Sequence, residues 1–372
     1  DVVSDGHGCG SWQLISTAAF GTPGRVMTLS LLTLAQAGAS VSYFDFVAQT
    51  MTLYLGLPSL VNIVALWGLL SVLSLLKQLD SVAWLSAAGL LTYIFVLALL
   101  GLFGAERLPD SPEAPAPALA IPSGLGAWFG PALFAFEGMG TALSIYEAME
   151  DADPQPYFAV VSAAYVISYG VYATVGVFGY IAWGDDVGSI VIDSFPAYNT
   201  SAGAVHSMNS YLTMAAHLAL SIILALSFVL QMTPVYHVVE DLLHNQENGR
   251  LPPSWWPLTR AAVVGIIALV GAIVPDMEKA ISLTGSVAFS AIGFILPGIF
   301  FLRIRPPSLR AQRADLGADF EPSAAVWAAN SGARYGLVSA ACEQLWDGAV
   351  SFLLIATGLV GGVLGVISTF TE

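Results

Sequence analysis

The feature that most limits what this chain can become is the length of its apolar runs. Leu85 to Phe103 holds no charge and, apart from small residues, only one Thr and one Tyr. As a helix such a run is roughly 28 Å long, close to the thickness of a bilayer's hydrocarbon core. In hydrocarbon every backbone N–H and C=O must be paired within the protein, which leaves helices and closed barrels. Barrel strands read as short stretches of alternating polarity, and this run does not alternate. Composition agrees: the chain is 56% hydrophobic and 10% charged, with a mean hydropathy of +0.75, too apolar for a water-soluble surface.

Nine runs have suitable length: Leu29 to Tyr54, Ser59 to Leu76, Val82 to Phe103, Gly126 to Met149, Phe158 to Trp183, Ser210 to Met232, Ala261 to Val274, Ala280 to Leu302 and Asp347 to Phe370. The expected fold is therefore an all-α polytopic membrane protein of about nine transmembrane helices. Ala261 to Val274 is the shortest run, and charge argues for keeping it. With nine crossings and a cytoplasmic start, Arg25, Lys77, Arg250, Arg260 and the five arginines from Arg303 to Arg334 face the cytoplasm, leaving Arg107 and Lys279 outside. Removing that span would send those five arginines outward, against the positive-inside rule.

The expected layout follows. Residues 1–28 form a cytoplasmic N-terminal segment, 29–302 a membrane core of eight spans with outer loops at 104–125 and 184–209, 303–346 a cytoplasmic loop, and 347–372 the last span with an outer C-terminus. Ala105 to Ser123 is Pro-rich and reads as an extended strap, and an amphipathic interfacial stretch is expected around Ala324 to Trp327. The chain starts without Met or a signal peptide and reads as cut at its front. Asn199-Thr200-Ser201, in the second outer loop, has the spelling of an N-glycosylation acceptor.

Charge and cysteines exclude several classes. The net charge of -15 comes from acids scattered through loops, and eleven Lys and Arg spread over the chain make no patch that would follow a nucleic-acid backbone. Cys9 and Cys342 both fall in expected cytoplasmic loops, where a structural disulfide is not expected. No metal-ligand spacing or nucleophile-base pair stands out, so neither a cofactor nor an enzymatic activity is expected.

The fourth run carries the densest functional spelling. Phe129 to Gly140 reads FGPALFAFEGMG, with an acid and four helix-disrupting residues inside a membrane segment. Glycines on both sides of Met139 let the backbone leave the helix, and its freed N–H and C=O groups can then meet a substrate's carboxylate or ammonium. A simple kink or a glycine-packed crossing is the plainer alternative. Glu137 favours function, because an ionisable group at that depth needs a partner or a pathway. Asp45, among Tyr43, Phe44 and Phe46, either takes part in proton movement or is solvated near the outer interface. His217 and Ser221 in the sixth span are further candidates for proton or ion coupling. Ser282, Thr284, Ser286 and Ser290 offer hydroxyls in the eighth, though such groups commonly satisfy a carbonyl one turn back.

The stretch Phe134 to Met149, FAFEGMGTALSIYEAM, resembles the sixth-helix signature of the amino acid/auxin permease family, in particular its proton-coupled and vacuolar amino-acid transporter branch. Ala18 to Arg25 with Leu34 to Gly38 resembles the start of that family's third helix, Gln231 to Pro234 the end of its eighth, and Ile281 to Val287 with Leu296-Pro297 its tenth. The resemblance implies the five-plus-five inverted-repeat, LeuT-like fold of the APC superfamily, here from helix three to eleven and without its first two helices. Ser144-Ile145-Tyr146 departs from the family's usual Leu-Pro-containing spelling. It implies secondary active transport of a neutral amino acid by alternating access, coupled to a proton or possibly to sodium. Phe134, Phe136, Gly138, Met139, Gly140, Ser282 and Thr284 would bind substrate, and Glu137, Asp45, His217 and Ser221 would couple the ion. The partners expected are a small-molecule amino acid and the lipid bilayer, in a vacuolar or lysosomal-type, plasma or other organelle membrane. The alternative is a transporter-derived, non-transporting structural subunit held by other membrane proteins.

Overall fold

The computed structural model describes residues 10–75, 82–107, 124–136, 138, 154–188, 190–196, 207–244, 255–274, 276–304 and 337–371. Every regular element among these residues is helical. The main helices are α1 (Gly10–Leu55), α2 (Ser59–Leu73), α3 (Val82–Arg107), α4 (Leu125–Ala135), α5 (Pro154–Trp183), α6 (Met208–His244), α7 (Trp256–Ile273), α8 (Met277–Thr284), α9 (Leu296–Ile304) and α10 (Leu337–Thr371). Seven stretches are long and apolar enough to cross a membrane: Ala19–Leu55, Ala87–Arg107, Tyr157–Trp183, Met208–Glu240, Trp256–Ile273, Met277–Arg303 and Gly348–Thr371. Ser59–Leu73 and Leu125–Ala135 are shorter apolar helices. The short seventh run is thus a full helix, lengthened at its start by Trp256 and Pro257.

Helix α1 begins well before the first apolar run, so much of the expected N-terminal segment is helical. Its two parts meet at Gly21, where φ is +67°, a conformation open to glycine at little cost. Pro23 follows, and its missing N–H is harmless in the first turn of the second part. The bend leaves the Ala19 carbonyl to accept from Arg303 Nε at 3.4 Å. At its far end α1 turns tightly into α2 through Gly56 (φ +63°), and Asn62 Nδ2 ties the turn by donating to Thr52 Oγ1 at 3.0 Å and to the Leu57 carbonyl at 3.2 Å.

Three apolar clusters hold the bundle. Phe44, Leu66, Phe228, Met232, Tyr236 and Val264 fill the centre where α1, α2, α6 and α7 meet. Trp12, Leu32, Phe289, Ile292 and Phe300 join α1 to the rod that runs from α8 to α9. Phe46, Phe103, Trp183, Ile192 and Phe195 close the end at which α1 turns into α2. That hairpin end is roofed by 3-10 turns at Gly184–Asp186 and Val191–Ser194. The roof is tied down by Trp183 Nε1 donating to the Ser194 carbonyl at 3.0 Å and by Ser194 Oγ accepting from the Gly188 amide at 2.8 Å.

Between α8 and α9 the rod widens into π-helical turns at Gly285–Phe289 and Ala291–Ile295. Pro297 lacks the N–H that would close the ordinary ladder one turn upstream, and a local change of helical pitch is a recognised response. α4 crosses here with backbone against backbone: a Cβ on Gly285 would collide with the Gly130 carbonyl, and one on Gly130 with the Ser282 carbonyl. α10 packs alongside through Gly358, Gly361, Gly362 and Gly365, an i, i+3, i+4, i+7 stripe of small residues whose absent side chains make room for Phe129, Phe294, Ser286 and Ser290.

One expectation is corrected. Cys342 lies in α10, not in a loop, because that helix starts at Leu337, ten residues before its apolar run, and so takes up the end of the expected 303–346 loop. The described part of the fourth run is helical to Ala135, and residues 139–149 lie outside the described residues. The Pro-rich strap beyond Arg107, the stretch around Ala324 to Trp327 and Cys9 lie outside the described residues.

Candidate functional site

α4 ends where its sequence turns glycine-rich. Phe136 closes it with φ -94° and ψ 17° while its amide reaches back to Ala132, and Gly138 is not helical. The two phenylalanines on this end face different neighbours. Phe134 meets Phe289 edge-on at 5.6 Å between ring centres, in the π-helical rod. Phe136 meets Tyr172 edge-on at 5.2 Å and stacks with Tyr169 at 6.4 Å, both on α5. Gly138 sits against the same helix, since a Cβ there would stand 2.8 Å from Tyr165 Oη. The helix end is thus bracketed by aromatic groups of two neighbours. Glu137, Met139, Gly140 and Asn199 lie outside the described residues.

The hydroxyls of the eighth run go separate ways. Ser282 Oγ bonds Thr369 Oγ1 on α10 at 2.7 Å, and Ser290 Oγ donates to the Gly358 carbonyl at 2.6 Å. These two therefore bridge helices instead of closing back one turn. Thr284 packs against Gly38 of α1, where any Cβ would collide with its side chain. Ser286 Oγ is buried with no hydrogen-bond partner among the described residues, between Gly130 and Gly365.

Asp45 and His217 come together at the hairpin end. They line one cavity of about 620 Å³ formed by the last turns of α1, the start of α2, the start of α6, the end of α7 and the 3-10 roof. Asp45 is only 5% exposed, in the wall of this cavity. Packing explains this: Gly271 lies against the carboxyl, and a Cβ there would collide with Asp45 Oδ1. Oδ2 has no hydrogen-bond partner among the described residues.

His217, 4% exposed, is held on both ring nitrogens. Nε2 lies 3.0 Å from Asp193 Oδ1 in the roof, and Nδ1 lies 3.2 Å from Tyr54 Oη and 3.1 Å from the Thr213 carbonyl. A carboxylate and a carbonyl can only accept, so two patterns fit. The neutral ring donates from Nε2 to Asp193 and accepts at Nδ1 from the Tyr54 hydroxyl. The doubly protonated ring donates to Asp193 and to Thr213. Each pattern leaves both ring nitrogens paired. Ser221, one turn along α6, is buried with its hydroxyl unpartnered among the described residues.

Tyr54, Asp193 and Gly271 were not singled out by sequence. Asp193 sits in a loop whose spelling has no helical period, and Gly271 looks like an ordinary membrane-helix glycine. The place of Tyr54, at the end of the first run, was the signal available.

A bundle of apolar helices with polar groups gathered at one end and a helix stopping at a glycine-rich run defines a multi-pass membrane protein. The chain belongs to the transmembrane amino acid transporter protein family, whose profile matches residues 2–316. It is similar to the amino acid transporters AVT3B and AVT3A of Arabidopsis thaliana. It is 26% identical to the first over 79% of this chain and 70% of the relative, and 28% identical to the second over 76% and 63%. It is also similar to vacuolar amino acid transporter 4 of Saccharomyces cerevisiae, at 24% identity over 80% of this chain and 44% of the relative. The chain therefore spans between under half and about two thirds of the length of these relatives. The resemblance in the sixth-helix signature is met by the family as a whole, and the family is one of carriers rather than enzymes.

Proposed function

We propose that this chain carries neutral amino acids across a vacuolar-type membrane, driven by protons, through alternating access in a five-plus-five inverted-repeat scaffold. The observation that carries the reading is the end of α4 at Ala135, with Phe134, Phe136 and Gly138 bracketed by α5 and the π-helical rod, in a chain of the amino-acid transporter family. Open peptide groups at an interrupted membrane helix suit a zwitterion, because a helix end presents unpaired backbone dipoles that meet charge without a full counter-ion. Phe134 and Phe136 bound the side-chain pocket, and Gly138, Met139 and Gly140 receive the backbone end of the substrate. Ser282 bonds the rod to α10 and Thr284 packs it on α1, the surfaces along which it rocks.

Proton coupling is assigned to His217 and Glu137. The two satisfied hydrogen-bond patterns of His217 support its part, and the roof residue Asp193 makes its state readable at the hairpin end. That end is taken as the outer, lumenal face, since Arg260 and Arg303 gather at the other.

Gly138→Leu tests the site. The new side chain would enter the space of the Tyr165 hydroxyl, 2.8 Å from the Cβ position. Uptake of labelled amino acid into proteoliposomes under a pH gradient should fall at least about tenfold, with folded protein retained in the bilayer. Uptake at the original rate would remove the α4 end from the transport path.

A further inference from the structure

The cavity at the hairpin end is separate from the α4 end, and its chemistry is specific. We propose that it is a second binding site, for a primary ammonium group, with Asp45 as the counter-ion.

The walls select the sign of the charge. Asp45 and Asp193 both line the cavity and no Lys or Arg does. The imidazole of His217 is committed to Asp193. Asp276, which interacts electrostatically with Asp45, caps α8 through Glu278 and Lys279 and has the Lys279 ammonium 3.9 Å away. Asp45 is therefore the lining carboxylate with an oxygen that has no hydrogen-bond partner among the described residues. It is 5% exposed, with Oδ2 unpartnered among the described residues, and a buried carboxylate of this kind is stabilised by a cation that donates hydrogen bonds. Gly271 makes the room in which the carboxyl sits.

Size and lining then select the kind of cation. A bare metal ion would need several ligands converging on one point, and no group of three or more His, Cys, Asp or Glu side chains among the described residues is placed to do that. About 620 Å³ lies within the range of small-molecule pockets, roughly 300–1,000 Å³. Phe44, Phe46, Ile63 and Ile192 line it with apolar surface for a short carbon stem, and Gln49 and Thr50 add polar groups near Asp45. A primary ammonium on an alkyl stem meets all of these: one charge for Asp45, three N–H donors and a hydrophobic tail. The α-ammonium of an amino acid and the head of a simple alkylamine share that chemistry.

Isothermal titration of the purified protein in detergent separates the sources and tests the site, using n-butylamine, alanine and tetramethylammonium. The protein should bind n-butylamine, and should bind tetramethylammonium, which has no N–H donor, at least about tenfold more weakly; alanine heat lost in Asp45→Asn assigns an amino acid to this cavity, and alanine heat kept in that variant belongs to the α4 end. Asp45→Asn, which keeps the shape and removes the charge, should weaken n-butylamine about tenfold or more. Gly271→Ala, which displaces the carboxyl without altering its charge, should weaken it too. An increase in melting temperature on adding n-butylamine, lost in either variant, gives the same answer without a titration. Wild-type affinity in Asp45→Asn, or no binding of n-butylamine to the unaltered protein, overturns the proposal. The inference does not depend on the carrier reading, because binding is measured without uptake.

Discussion

Two largely buried charged groups near opposite ends of the bundle, Arg260 and Asp45, are held in opposite ways. At the end away from the hairpin, Arg260 is almost saturated. Its Nε donates to Glu240 Oε1 at 3.2 Å, its Nη1 to the Ser74 carbonyl at 2.7 Å, and its guanidinium lies over Trp256 at 4.0 Å and Tyr236 at 4.7 Å. One side chain thus closes the C-terminus of α2 and joins it to α6 and α7. At the hairpin end, Asp45 has an oxygen with no hydrogen-bond partner among the described residues, and His217 has a choice of partners at one nitrogen. Desolvated charges cost free energy unless they are paired and hydrogen-bonded. Arg260 meets that condition within the protein, which is the signature of a structural joint, while Asp45 leaves it for a ligand to meet.

The largest effect should come from breaking the saturated joint. Arg260→Met keeps much of the apolar stem but leaves Glu240, 22% exposed, without its cation and the Ser74 carbonyl without its donor. A loss of about 3 kcal/mol is expected, measured by denaturant unfolding in detergent. His217→Leu sharpens the contrast. Its main partner Asp193 is 51% exposed and can return to water, so the expected cost is smaller, about 1–2 kcal/mol. Equal losses in the two variants would show that both ends are structural joints and would remove the distinction.

How much of this was legible beforehand follows from the same physics. Crossing a hydrocarbon layer imposes a length on the chain, so the runs Val82 to Phe103 and Phe158 to Trp183 could be read from residues and meet the stretches Ala87–Arg107 and Tyr157–Trp183. Ionisable groups inside such runs were equally visible, hence Asp45 and His217. Which of them meet was not visible, because the roof that supplies Asp193 consists of 3-10 turns held by Trp183 and Ser194, and short irregular turns carry no period. The widened turns from Gly285 to Ile295 were also hidden, since Pro297 predicts a disturbance but not its form. The start of α1 was misjudged because residues 10–28 are too polar to read as a span, yet Trp12 and Ala19 pack on the rod and make them helical through tertiary contact.

The smallest effect tests whether the joint is saturated down to its hydroxyls. Ser74 Oγ and Tyr236 Oη lie 2.8 Å apart, both buried, while the Ser74 carbonyl is held independently by Arg260. Ser74→Ala should therefore leave the end of α2 in place and cost about 1 kcal/mol, as the Tyr236 hydroxyl loses a partner where water is scarce. Tyr236→Phe should cost a similar amount for the converse reason. Removing both hydroxyls leaves no buried polar group unpaired, so the double variant should be less destabilised than the sum of the singles, with a coupling of about 1 kcal/mol in a double-mutant cycle. Strict additivity would mean that the two hydroxyls find other partners, and the end away from the hairpin would then be open to solvent in the way the cavity is.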